Sequence, residues 1–147
     1  MHKSRYSILA TAAAALALVV AATPVASTNP SLQSGAVMSR LTTEGGTFGV
    51  AVKSSPEPIP LNEPFELTVD VSLLKAIDDA NPLWLGVEAT MPTHAHGMNT
   101  RARVEPLENG RFAVKGLLFH MAGEWEVVLQ VAKGRIHEQA RTRVLIE

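Results

Sequence analysis

Cysteine is absent from all 147 residues, which excludes disulfides, thiol nucleophiles and thiolate metal sites together. A lipid-modified cysteine anchor is excluded with them. Concentrated charge is lacking too: 13 Lys and Arg stand against 14 Asp and Glu, so there is no basic patch of the kind that nucleic acid or an anionic membrane surface selects. Neither partner is expected. Enzyme signatures are missing as well, with no Gly-x-Ser-x-Gly elbow, no His-Glu-x-x-His helix and no glycine-rich phosphate loop. A binding role is expected rather than a catalytic one. Aromatic residues make up only 5% of the chain, and no internal repeat is visible.

What is present begins with an export layout. His2, Lys3 and Arg5 precede an apolar run of Ala, Leu and Val over residues 8–22, about 15 residues and short of the roughly 20 that span a bilayer. Small residues at Ala22 and at Val25-Ala26-Ser27 offer cleavage positions, so residues 1–27 read as a signal peptide, with an uncleaved membrane anchor as the alternative. Removing Lys3 and Arg5 with it leaves 11 basic against 14 acidic residues, a net charge of −3. The expected location is periplasmic or extracellular, with no membrane span once the signal is removed. Residues 28–46 are rich in Ser, Thr, Asn and Gly, too polar to bury much surface, and read as a flexible linker.

From residue 47 to 147 the pattern has period two. Phe48, Val50 and Val52 alternate with Gly49, Ala51 and Lys53, and Phe65, Leu67, Val69 and Val71 with Glu66, Thr68 and Asp70. Each predicts a strand with one buried face. Pro56, Pro58 and Pro60 keep their segment at an edge or in a loop, and residues 74–77 allow one helical turn. Leu83, Leu85, Val87 and Ala89 form a further inward face, with Trp84 and Glu88 opposite. Asn109-Gly110 between two extended runs is a hairpin signal. Trp125, Val127, Leu129 and Val131 give another strand, with Trp125 in the core, and residues 136–146 the last. Glu124, Glu126 and Glu138 read as a solvated face. The result is an all-β fold, an antiparallel β-sandwich of immunoglobulin-like type with about seven strands.

Between two of these strands lies Met91-Pro92-Thr93-His94-Ala95-His96-Gly97-Met98. His94, His96 and Met98 share a parity, so in an extended segment their side chains leave one side with Cα atoms about 6.5–7 Å apart. Pro92 stiffens the entry, and Gly97 lets the backbone bend. Imidazole suits copper, zinc, nickel and iron, whereas a thioether selects Cu(I) and serves zinc poorly. A His/His/Met set in an exported chain without cysteine therefore points to copper, in either oxidation state. Met91 has the parity of Leu85 and Val87 and reads as core. His120 and Met121 point opposite ways in an extended chain; Met121 is the expected fourth ligand, although Leu117, Phe119 and Met121 also continue an apolar parity. His120 and His137 read as surface or hydrogen-bonding residues.

The elements Met91-Pro92-x-His94-x-His96-Gly97-Met98, residues 110–117 around Gly110-Arg111-Phe112, and Phe119-His120-Met121-x-Gly123-x-Trp125 together resemble the YtkA-like domain family. The resemblance covers residues 83–131. It implies an exported immunoglobulin-like sandwich associated with copper handling, a metal site at His94, His96, Met98 and Met121, and a copper-handling or envelope protein as partner. Ala122 departs from the proline expected after this Met. Two functions stay open: a module that buffers or transfers copper, and a metal-free envelope module that docks through the same loop.

Overall fold

The computed structural model describes residues 38–147. The expected signal peptide and most of the expected linker lie outside the described residues. Nine strands follow in chain order: β1 (Ser39–Thr42), β2 (Phe48–Ser55), β3 (Pro64–Leu73), β4 (Trp84–Met91), β5 (His96–Gly97), β6 (Arg103–Pro106), β7 (Arg111–Leu118), β8 (Gly123–Lys133) and β9 (Ile136–Ile146). They form two antiparallel sheets, ordered β1-β2-β3-β7-β6 and β5-β4-β8-β9. The chain is thus an all-β antiparallel sandwich. Among the described residues no helix is long and apolar enough to cross a membrane.

The two strands beyond the expected seven are β1 and β5. β1 lies within the stretch read as linker, and it is ordered by pairing: Leu41 sits opposite Val50 and Ser39 opposite Val52. A polar four-residue strand borrows its order from an apolar neighbour, which composition cannot show. Residues 74–77 form no helix; Leu74 is 55% exposed, and Lys75 Nζ donates to the Gly45 carbonyl at 2.6 Å.

Alternation holds where it was clearest. Phe48, Val50 and Val52 face the other sheet together with Leu67, Val69 and Val71, and Leu85, Val87, Ala89 and Met91 answer them from β4. Trp125 is fully buried, and Phe119 stacks on it with ring centroids 4.5 Å apart and an interplanar angle of 15°. Trp84, on the opposite parity, is 54% exposed. The expected Asn-Gly hairpin joins β6 to β7, with Asn109 and Gly110 at φ of 59° and 74°.

One irregularity decides what the β7 end presents. Phe65 pairs with Leu117 but Leu67 with Val114, so β7 carries one extra residue, a β-bulge with Gly116 at φ 75°. Before the bulge the buried residues of β7 are Phe112 and Val114; after it they are Leu117 and, just past the end of the strand, Phe119. The shift turns Phe119 into the core.

Glu138 is not on the solvated face. Its register partner is Val131, whose side chain is buried, so Glu138 turns inward. There it accepts hydrogen bonds from the Thr43 hydroxyl, from Thr47 Oγ1 at 2.5 Å and from the Thr47 backbone N–H at 3.1 Å. Desolvation pushes the Glu138 pKa up, but these hydrogen bonds and the Lys75 charge outweigh it, and the net shift is downward. The carboxylate latches the β1–β2 turn onto β9. Glu124 and Glu126 behave as expected, pairing with Arg143 and Arg141 at 3.0 and 3.4 Å.

Candidate functional site

The loop expected to be extended is a tight hairpin. Met91 pairs with His96 and Thr90 with Gly97, the His94 N–H returns to the Met91 carbonyl at 3.1 Å, and Ala95 sits at φ 54°. His94 is therefore in the turn and His96 in β5. Their rings still lie side by side, centroids 5.8 Å apart, because the turn does what shared parity was expected to do. Gly97 does not bend the chain through a left-handed conformation; a Cβ there would meet the Ala89 carbonyl at 3.2 Å, so glycine allows β5 to lie close on β4. Met91, 1% exposed, is core as expected.

Met98 continues the hairpin, its N–H donating to the Ala89 carbonyl at 3.3 Å. Its half-buried side chain packs on the core and lines a groove of about 400 Å³ with Ala89, Thr90, Arg101 and Ala102. Met121 is also half-buried against the core, and its carbonyl accepts the Trp125 indole N–H at 2.9 Å.

The imidazole reaching His96 from the β7–β8 corner belongs to His120. The two ring centroids are 5.3 Å apart with planes 31° from parallel. Trp125 meets both rings edge-on, at 5.6 Å from His120 and 6.2 Å from His96, so the buried indole is the floor under these two histidines. His120 Nδ1 is buried and, among the described residues, is the only such side-chain nitrogen or oxygen without a hydrogen-bond partner. Leaving such a group unsatisfied costs about 1–3 kcal/mol, which calls for an occupant or a role.

His120 is the site residue that sequence reasoning set aside. The signal was present in Phe119-His120-Met121, but parity allows only one of two adjacent residues to face the loop, and Met121 was the one expected, although the apolar run 117, 119, 121 placed it in the core as readily. Leu117 and Phe119 are buried and Met121 packs on the core as that run dictates, which leaves His120 as the residue that meets His96. His137, by contrast, is exposed on β9, as expected.

His96 has a backbone partner for one of its ring nitrogens. When its Nδ1 carries the proton it donates to the Gly97 carbonyl at 3.3 Å, leaving Nε2 bare, the usual state of a metal-ligating histidine. Among the described residues, no group of three or more His, Asp or Glu side chains is already arranged to hold a metal. The rings are adjacent but not converged, and His χ2 turns over a broad well.

No protein-family model, curated protein or solved structure matches this chain.

Proposed function

We propose that this domain is an exported copper-binding module that buffers copper or hands it to a copper-handling or envelope partner. The observation that carries the reading is the pair His94 and His96 at 5.8 Å on a short hairpin, in a chain that offers thioethers and no thiolates. Soft sulfur with imidazole selects copper over zinc. His94 and His96 supply nitrogen, and Met98 and Met121 supply exchangeable sulfur. Transfer needs a position that a partner can enter, and the groove beside Met98 leaves one side of the hairpin open to it. The residue motifs resembling the YtkA-like family point the same way.

Titration of the purified protein with Cu(I), Cu(II) and Zn(II) tests this. Tighter binding of Cu(I) than of zinc is expected, and loss of copper binding in the His94→Ala/His96→Ala double variant with the circular dichroism spectrum unchanged. Copper affinity unaffected by the double substitution would sink the proposal. Protein from copper-replete cells without stoichiometric copper by elemental analysis would favour the metal-free docking module instead.

A further inference from the structure

We infer that His120 is a third nitrogen ligand of the copper site, so that the site spans the β4–β5 hairpin and the β7–β8 corner and holds Cu(II) through three imidazoles. This rests on the copper reading of the hairpin. Two observations carry it beyond that reading. A metal–imidazole bond of about 2.0 Å and a ring radius of about 1.1 Å put each ring centroid about 3.1 Å from a shared ion, so two such rings lie between about 4.4 Å apart (cis) and about 6.2 Å apart (trans). The separations of 5.8 Å for His94 and His96 and 5.3 Å for His96 and His120 both lie within that reach, and the exposed His94 ring is the one that turns to bring all three onto one ion. His120 Nδ1, moreover, is buried without a partner, while Phe119 stacked on Trp125 and the indole against the imidazole hold the ring where it is. An ion bound to the Nδ1 lone pair satisfies it.

Three imidazoles favour Cu(II), whereas two with thioethers favour Cu(I), so His120 also sets which copper the site retains. The hairpin supplies two ligands from neighbouring residues of one loop, and the corner supplies the third from between the two sheets.

The test is electron paramagnetic resonance of the purified protein loaded with one equivalent of Cu(II) sulfate, with the nitrogen superhyperfine pattern used to count imidazoles. Three are expected in the wild type, two in His120→Gln, and three in the control His137→Gln, with Cu(II) affinity about tenfold or more weaker in His120→Gln. Should His120→Gln fail to fold, the wild-type count decides alone: three nitrogens support the inference and two overturn it. Unchanged count and affinity in folded His120→Gln overturn it while leaving the hairpin reading intact. A wild type that binds no copper overturns both.

Discussion

The indole N–H of Trp125 donates to the carbonyl oxygen of Met121 at 2.9 Å. This bond ties the first buried residue of β8 to the corner before it and holds the intervening backbone close. Met121 serves the fold through its main chain here, while the preceding residue, His120, presents its ring to His96. The same indole packs on Phe119 and against both imidazoles, so core and site share one side chain.

Replacing Trp125 with Phe removes that hydrogen bond and part of a fully buried ring. A loss of about 2–3 kcal/mol is expected from the lost packing and the orphaned carbonyl, read from urea unfolding midpoints. Copper affinity should fall with it, because the ring floor under His96 and His120 is lost. A variant of unchanged stability would contradict the packing described.

His94 lies in an exposed turn and is not part of the core cluster. His94→Ala should therefore shift stability by no more than about 0.5 kcal/mol while weakening copper binding in titration. A large drop in the melting temperature would assign His94 to the fold instead of the site.

Gly116 occupies a left-handed conformation at the β7 bulge, and a Cβ would also press on the Arg101 carbonyl at 3.1 Å. Gly116→Ala should cost about 1–2 kcal/mol. The bulge sets the direction of the residues that follow, so the variant should also alter the near-ultraviolet signal of Trp125. Wild-type stability with an unaltered spectrum would refute this role.

Glu138 titrates with its folded pKa lowered from the ordinary 4.5 by hydrogen bonds from Thr43 and Thr47 that outweigh its desolvation. A depressed carboxyl pKa contributes stability that is present above the unfolded value and lost as the pH falls through the folded one. Unfolding midpoints should accordingly drop below about pH 4.5, and Glu138→Gln should flatten that acid limb while lowering stability at neutral pH. An acid limb as steep in the variant as in the wild type would show that other carboxylates carry it.

Much of the fold was legible because a half-buried antiparallel strand writes its burial into every second residue. Phe48 to Val52, Phe65 to Val71 and Trp125 to Val131 face inward as their alternation dictates, and Asn109-Gly110 turns where left-handed backbone is cheapest. Strands ordered by their neighbours were not legible: β1 is polar and β5 has two residues. Glu138 misled for a related reason, since an inward carboxylate makes sense only with Thr43 and Thr47 in view.

Cysteine-free chemistry, the donor types of the 91–98 loop and the assignment of Met91 to the core are matters the sequence determined by itself, because they depend on residue type and local period. The identity of the third imidazole was decided by tertiary structure alone. One extra residue at Gly116 shifts the parity of β7, and the Trp125 bond to Met121 holds the corner beside the β4–β5 hairpin, which it meets only after folding. No count along the chain carries that information, because adjacent residues are told apart by the neighbours each one faces.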